Sequence, residues 1–172
     1  MSKTIAITGA GDGLGRALAR RFAREGHRIV LINRTLSKAE AVAAELGEPH
    51  FAVQADVGDP DSVRAAFAQI AERAPKLDVL INNAGIFQPF RLEKAEDELV
   101  ERMIATNLTG TIWVSRAAVP LLKAQGDGPG GQIINVTSES SHLKMARLWL
   151  YAATKVAVEY MGEEWAKELA AD

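Results

Sequence analysis

Short apolar runs alternate along the chain with stretches in which apolar residues recur every three or four positions. The apolar runs predict five β-strands, at residues 4–8, 28–33, 51–54, 77–82 and 132–137. The helical periodicity predicts helices at residues 14–25, 36–46, 62–73, 96–125 and 149–171, and the span 96–125 is long enough to divide into two pieces. Strands that are continuous apolar runs separated by helices indicate a parallel sheet covered on both faces.

This order of elements predicts an α/β fold, a doubly wound parallel sheet of the Rossmann-like type with three αβα layers. With 172 residues the chain has the length of one domain, and no internal repeat or linker divides it. Residues 1–172 are therefore expected to form a single domain. Gly47 is expected to end the second helix, and the glycine-rich segment 126–131 is expected to form a turn.

Charge and composition exclude several classes of partner and site. The formal net charge of −2 and the pI near 6.0 give no electrostatic reason to expect a nucleic acid or an anionic membrane as partner. The chain has no cysteine, which excludes disulfides and thiolate ligands, and its three histidines lack ligand spacing, so no metal site is predicted. With no signal peptide and no apolar run near the roughly 20 residues of a membrane span, we expect a cytoplasmic protein.

A glycine-rich loop follows the first predicted strand and opens the first predicted helix. From Thr8 it reads T-G-x-x-x-G-x-G, with glycines at positions 9, 11, 13 and 15. Glycines allow a sharp turn and a close approach of the backbone to a pyrophosphate, whose charge is favoured at a helix N-terminus. Because the strand–loop–helix context is present, the loop predicts a dinucleotide site.

A phenol and an ammonium group stand four residues apart near the end of the chain, at Tyr151 and Lys155. In a helix they lie one turn apart on the same face. A nearby cation favours the phenolate form, which suits a tyrosine to general acid–base chemistry. Taken alone, the pair is better interpreted as an exposed tyrosine and a solvated lysine on an amphipathic helix, so a catalytic interpretation depends on the motifs around it.

Five motifs in order resemble those of the short-chain dehydrogenases/reductases. They are the loop from Thr8 to Gly15, the N-N-A-G of residues 82–85, Asn107 in a T-N-L segment, Ser138 at 13 positions before Tyr151, and the Y-x-x-x-K itself. The resemblance extends over the whole chain. It implies an oxidoreductase that interconverts a carbonyl and a secondary alcohol by hydride transfer with a nicotinamide cofactor.

The resemblance also implies a role for each of four catalytic residues. Tyr151 is expected to exchange the proton with the substrate oxygen, and Ser138 to hydrogen-bond that oxygen. Lys155 is expected to favour the phenolate and to bind the nicotinamide ribose. Asn107 is expected to hold a water that links Lys155 to solvent.

The residues expected to bind the cofactor follow the ends of the predicted strands. They are Gly9, Gly11, Asp12, Gly13, Leu14, Gly15, Asn33, Arg34, Asp56, Val57, Asn83, Ala84, Gly85, Tyr151 and Lys155. Asn33 is neutral where an acidic residue selects NAD, and Arg34 follows it, so NADP(H) is favoured. Asp12 favours the opposite choice, because NADP-dependent members often carry a basic residue in the loop, and NAD(H) remains possible.

The family continues beyond a fifth strand and its helix with further strands and a substrate lid, and we expect these C-terminal strands to be absent from residues 1–172. The alternative to an oxidoreductase is therefore a non-catalytic or inactive dinucleotide-binding module. Apolar residues surround more of the last helix than one buried stripe needs. A homo-oligomer, dimer or tetramer, formed through the helices at 96–125 and 149–171 is expected.

Overall fold

A computed structural model describes residues 1–123 and 130–170 of the chain. Its five strands are Thr4–Thr8 (β1), Arg28–Asn33 (β2), Phe51–Gln54 (β3), Val79–Asn82 (β4) and Gln132–Asn135 (β5). Its helices are Gly13–Arg24 (α1), Leu36–Leu46 (α2), Pro60–Arg73 (α3), Asp97–Ile104 (α4), Gly110–Leu122 (α5) and Trp149–Leu169 (α6). A π-helical turn, Ala105–Thr109, joins α4 to α5.

The strands form one parallel sheet in the order β3-β2-β1-β4-β5. The direction of winding reverses between β1 and β4, because the chain moves outward from β1 through β2 and β3 and then crosses to the other side. In such sheets, ligands bind at the carboxyl ends of the strands beside this reversal. The predicted α/β class and doubly wound parallel sheet are confirmed.

Two apolar clusters pack on opposite faces of the sheet, because successive strand residues point to opposite sides. On β1, Ile5 and Ile7 pack with residues of α1 and α2, whereas Ala6 packs with residues of α3 and α5. All three side chains are buried. Helices therefore cover both faces, as three αβα layers require.

Two helices, α1 and α3, begin before their predicted first residues, because an aspartate caps the N-terminus of each. Asp12 caps α1 by accepting from the Gly13 N–H, and Asp59 caps α3 by accepting from the Asp61 N–H. The helices thus begin at Gly13 and Pro60, one and two residues before the predicted starts. Proline suits the first turn of a helix because that position needs no N–H partner.

The other predicted boundaries also need correction. The strand predicted from 77 begins at Val79, because the Leu77 N–H donates to the Leu121 carbonyl of α5 instead of a strand. The strand predicted to reach 137 ends at Asn135, after which the Val136 carbonyl accepts from Lys155. The helix predicted at 96–125 is divided by the π-helical turn and ends at Leu122. Positions 124–125, most of the turn at 126–131 and Ala171 lie outside the described residues.

β5 forms one edge of the sheet, and within the described residues no strand pairs with its outer side. A groove of about 1010 Å³ lies along it, between the end of α5 and the inner face of α6. Ile134 of β5 is partly exposed there, at 44%. Among residues 1–123 and 130–170, no helix combines the length and the apolar character needed to cross a membrane.

Candidate active site

The loop between β1 and α1 is a tight turn that only glycine can form. Gly9 has a φ of +66°, a left-handed conformation that favours glycine. A Cβ on Gly15 would lie 2.4 Å from the Gly9 carbonyl oxygen, so the start of α1 packs directly on the loop backbone. The Asp12 cap completes the helix start. The turn therefore presents the N-terminus of α1 at the carboxyl edge of the sheet.

Thr8 joins this loop to the segment after β4. Its hydroxyl accepts from the backbone N–H groups of Asn83 and Ala84, each at 3.0 Å. The Asn83 amide donates in turn to the Thr8 carbonyl at 2.9 Å. Thr8 lay within the motif, but its role as an anchor was not predicted from the sequence. These bonds hold the two predicted cofactor segments side by side.

A cleft of about 170 Å³ opens where the ends of the central strands meet. Its lining residues are Gly9, Asn33, Arg34, Ala55, Asp56, Val57, Ala84, Gly85, Ile86 and Thr106. Seven of these were predicted to bind the cofactor. The Asp56 side chain is held in place by a local hydrogen bond, because its carboxylate accepts from the Gly58 N–H at 3.0 Å. The sheet order thus brings together residues from four separate strand ends.

The end of β2 contacts the glycine-rich loop through the side chain of Asn33. The side-chain oxygen of Asn33 accepts from the Gly11 N–H at 3.4 Å, and its amide donates to the Thr35 carbonyl at 2.9 Å. Lys38 of α2 approaches the same loop, with its Nζ 3.2 Å from an Asp12 carboxylate oxygen. The sequence patterns did not point to Lys38, because nothing local relates it to a loop 26 residues away.

Tyr151 and Lys155 lie on one face of α6 as the spacing predicted. The Lys155 Nζ lies 5.7 Å from the centre of the Tyr151 ring and donates to the Val136 carbonyl at 2.7 Å. Lys155 is 6% exposed, and burial lowers the pKa of its ammonium group. The bond to Val136 fixes α6 against the end of β5.

Asn107 occupies the centre of the π-helical turn and is buried. Its side-chain oxygen accepts from the Ile86 N–H at 2.7 Å, while its amide donates to the Ile86 carbonyl at 2.9 Å and to the Thr154 hydroxyl at 3.3 Å. The Thr154 hydroxyl donates to the Tyr151 carbonyl at 2.7 Å. Thr154 was missed at the sequence level, although it directly precedes Lys155. The side chain of Asn107 thus joins the loop after β4 to α6.

Ser138 follows β5 in an extended conformation. Its Oγ accepts from the Ser140 N–H at 3.2 Å and from the Ser140 hydroxyl at 2.9 Å. The Oγ atoms of Ser138 and Ser140 are thus within hydrogen-bond distance, and a hydroxyl group can both accept and donate.

An aromatic contact covers one side of Tyr151. The Phe87 ring meets it edge to face, with centroids 5.0 Å apart, and Phe87 itself is 61% exposed. Phe90 meets Trp149 in the same way at 5.4 Å. Phe87 and Phe90 were not predicted as site residues, and their only signal was their position shortly after N-N-A-G.

Two glycines leave open space beside these groups. A Cβ on Gly13 would meet no atom within 4 Å, so the space beside this residue at the start of α1 is open. A Cβ on Gly85 would lie 3.5 Å from the Asn107 side-chain oxygen and 3.8 Å from the Lys155 Nζ. The missing side chain at Gly85 therefore leaves room beside the two buried polar groups. Gly85 also lines the cleft at the end of β2, so the room beside it belongs to that cleft.

The doubly wound sheet, the glycine-rich turn and the cleft at the reversal of winding define a Rossmann-like dinucleotide-binding protein. A sequence model described as short chain dehydrogenase matches residues 3–172. The chain belongs to the short-chain dehydrogenase family, a family of oxidoreductases.

Similar proteins include enzymes with several different names. The sorbitol dehydrogenase of Cereibacter sphaeroides is 36% identical over 156 residues, which are 91% of this chain and 60% of the relative. Carbonyl reductase family member 4 of Xenopus laevis is 31% identical over 170 residues, 99% of this chain and 70% of the relative. A crystal structure of a 3-ketoacyl-(acyl-carrier-protein) reductase from Brucella melitensis complexed with NADH matches with a TM-score of 0.92 and 36% identity, covering 98% of this chain and 70% of that one. The chain thus spans about 60% to 70% of the length of these relatives.

Proposed function

We propose that this chain carries the catalytic residues of an NADP(H)-dependent oxidoreductase that interconverts a carbonyl and a secondary alcohol. The observation that carries the proposal is the Tyr151–Lys155 pair on α6, with Lys155 and Asn107 bordering the open space at Gly85. We also propose that residues 1–172 act as one dinucleotide-binding domain.

Tyr151 exchanges the proton in the proposed reaction. A nicotinamide cofactor, when bound, would supply the hydride in reduction and accept it in oxidation. The Tyr151 hydroxyl gives its proton to the substrate oxygen during reduction and takes it back during oxidation. The positive charge of Lys155 stabilises the phenolate that forms when the proton leaves. Phe87 covers one side of the tyrosine ring and limits the access of water.

Ser138 and Asn107 have supporting roles in the same proposal. The Ser138 hydroxyl donates to the substrate oxygen and fixes its position. The two amide hydrogens of Asn107 are already bonded to Ile86 and Thr154, so it places the loop at Gly85 relative to α6. A water beside Asn107 passes protons between Lys155 and solvent in this mechanism.

The preference for NADP(H) over NAD(H) rests on charge at the end of β2. Arg34 lines the cleft there and Asn33 adds no negative charge, so a cofactor 2′-phosphate meets attraction without repulsion from that strand. The NADH in the Brucella structure is a property of that relative. A measured preference for NADH would overturn this part of the proposal.

We further propose that copies of the chain associate through α4, α5 and α6 and that the protein works in the cytoplasm. Exposed apolar side chains on α6 support the association, since Trp149, Val156 and Tyr160 are 40%, 46% and 66% exposed. They recur at positions seven and four residues apart, so they form one stripe along the helix.

The first experiment measures protection of the chain against heat by NADPH and by NADH. A ligand at a hundred times its Kd stabilises the folded state by about 2.7 kcal/mol, so a functioning site produces a clear rise in Tm. Lys167→Met serves as a control, because this exposed residue lies on the last turns of α6 and pairs with Glu164. No rise with either cofactor would contradict the proposal.

A second experiment separates the oxidoreductase from a dinucleotide-binding module without catalysis. Ketones and secondary alcohols are screened by following absorbance of the reduced nicotinamide. We expect turnover that Tyr151→Phe lowers by about 10²- to 10⁴-fold, as loss of a general acid does. Cofactor binding by the wild-type chain without any turnover would support the binding module instead.

A further inference from the structure

Two basic side chains approach the end of the cofactor cleft from different elements. Arg34 follows β2 and lines the cleft. Lys38 extends from the first turn of α2 to the glycine-rich loop, where its Nζ lies 3.2 Å from Asp12 Oδ2. Lys38 and Asp12 are 56% and 76% exposed, so a ligand in solution can reach both.

Gly11 brings Lys38 close to the cleft. A Cβ on Gly11 would lie 2.7 Å from the Lys38 Cβ and 3.0 Å from the Asn33 Cγ. The stem of Lys38 and the amide of Asn33 thus pack against the same glycine, and Asn33 is the immediate neighbour of Arg34. The Lys38 stem and the Asn33 amide thus meet where the loop approaches the end of β2, and Arg34 is the next residue along the chain.

Asp12 is the one acidic group of the loop. The Gly13 N–H, and then the Lys38 ammonium, hold the pKa of the Asp12 carboxyl below its ordinary range, so it is ionised at neutral pH. An ionised carboxylate here attracts Lys38 and repels a phosphate. A phosphate monoester carries a charge of about −1.5 to −2 at pH 7, more than one carboxylate.

We propose that Lys38 is a second binding group for the cofactor 2′-phosphate and that Asp12 competes with the phosphate for it. This inference rests on the proposed function, since it concerns the adenosine end of the same cofactor. When the 2′-phosphate is bound, the Lys38 ammonium transfers its hydrogen bond from Asp12 to a phosphate oxygen. When the cofactor has no 2′-phosphate, the Asp12–Lys38 pair stays closed. Selectivity is then a balance between attraction by Lys38 and Arg34 and repulsion by Asp12.

The competing explanation is that the Asp12–Lys38 ion pair only holds the glycine-rich loop against α2, as a clamp. An exposed ion pair contributes little to stability. A clamp acts on any dinucleotide, so its loss changes the affinities for NADPH and NADH together. A phosphate-binding lysine changes the affinity for NADPH alone.

The test measures Kd by calorimetry for NADPH and NADH at one ionic strength. The variants are Lys38→Met, Asp12→Asn and the double variant, with Lys167→Met as the matched control for an exposed, paired lysine. Asparagine caps a helix as well as aspartate does, so Asp12→Asn removes the charge and keeps the start of α1. We expect Lys38→Met to weaken NADPH binding by roughly three- to tenfold without weakening NADH binding.

Asp12→Asn is expected to raise the ratio of NADPH to NADH affinity by roughly threefold. That gain should shrink in the double variant, because the lysine for which the carboxylate competes is gone. Equal weakening of both cofactors by Lys38→Met would establish the clamp and overturn the inference. An unchanged Kd for NADPH in Lys38→Met would overturn it as well.

Half-cofactor probes separate this inference from the proposed function. Adenosine 2′,5′-bisphosphate and 5′-AMP need only the adenosine end of the cleft. If NADPH and NADH both fail to bind but the bisphosphate binds in a Lys38-dependent way, the 2′-phosphate site stands and the oxidoreductase proposal fails. If NADPH binds and Lys38→Met changes neither probe, only the Lys38 inference fails. If nothing binds, both fail.

Discussion

At the scale of the residue, the candidate site depends on polar side chains buried at the carboxyl edge of the sheet. Asn107, Thr154 and Lys155 are 1%, 2% and 6% exposed. Buried polar groups are stable only where hydrogen-bond partners replace water. Each of the three has such partners, and the partners include backbone groups of Val136, Ile86 and Tyr151. The arrangement therefore depends on main-chain positions as much as on the side chains that a motif names.

Burial of Lys155 predicts a pH dependence of stability. Its pKa in the folded state lies below the ordinary value of 10.5, because burial penalises the charged form. Between that lowered pKa and 10.5 the unfolded chain therefore binds more protons at this group, and the free energy of unfolding rises with pH. We expect Lys155→Met to lack this rise in chemical denaturation at stepwise pH. Lys167→Met should keep it, and identical profiles for all three proteins would contradict the prediction.

The Thr154 hydroxyl is predicted to stabilise the link between α6 and the loop after β4. Thr154→Val keeps the shape of the side chain but leaves the Asn107 amide and the Tyr151 carbonyl each without one partner. We expect a loss of about 1–3 kcal/mol in the free energy of unfolding, measured with urea. Thr154→Ser keeps the hydroxyl and should lose about 1 kcal/mol or less, from one methyl group. A larger loss in the serine variant would mean that packing, and not hydrogen bonding, is the main contribution.

At the scale of the element, the ends of strands and the starts of helices place the chemistry. The β1–α1 turn packs helix on loop through Gly15, and the π-helical turn places Asn107 opposite Ile86. π-helical turns within longer helices often mark functional positions. The end of β5 is tied to α6 by the Lys155–Val136 bond. The β1–α1 turn, the π-helical turn and the end of β5 are therefore each held by contacts outside the regular hydrogen bonding of helices and strands.

Gly15→Ala tests the packing of α1 on the loop. The added Cβ would lie 2.4 Å from the Gly9 oxygen and 2.6 Å from the Asn83 amide nitrogen, so backbone must move. We expect a loss of at least about 1–3 kcal/mol in the free energy of unfolding and weaker binding of either cofactor. Gly13→Ala is the comparison, since it has open space and adds only the roughly 1–2 kcal/mol of a positive φ. Equal stability of Gly15→Ala and the wild type in thermal unfolding would contradict the close packing.

At the scale of the whole molecule, one sheet order explains why distant segments form one cleft. With β1 between β2 and β4, the residues after these strands lie at the same edge. Helices on both faces bury the sheet, and among the described residues the unpaired edge of β5 and the outer stripe of α6 remain as apolar surface. The molecule thus separates a polar site at one end of its strands from apolar surfaces at its side.

Association of copies through the stripe on α6 gives a prediction at this scale. Tyr160→Lys places a charge on the most exposed apolar residue of the stripe, at 66%. We expect it to weaken self-association at least tenfold in sedimentation equilibrium, while the Tm of the dilute protein stays nearly the same. Lys167→Glu changes charge outside the stripe and should leave the association unchanged. A wild-type chain that sediments as a monomer at high concentration would end this proposal.

Local patterns in the sequence predicted most of the elements, and their errors have physical causes. The predicted start of α3 was two residues late because the cap at Asp59 and the following proline were not used. The strand at 77–82 was predicted too long because the apolar Leu77 is buried by contact with α5. For the site, Tyr151 and Lys155 were confirmed to share one face of a helix, whereas the roles of the four catalytic residues stay predictions.

The sequence by itself determined the alternation of strands and helices, the glycine-rich turn and the family, because periodicity, capping and turn chemistry act between near neighbours. Tertiary structure alone decided which distant groups meet. Lys38 reaches Asp12 across 26 positions, and Asn107 reaches Thr154 across 47. Such pairs follow from the order of strands in the sheet and the packing of helices on it, which no local pattern encodes. For that reason the motifs identified the segments that line the cleft, and only the folded chain showed which distant side chains contact those segments.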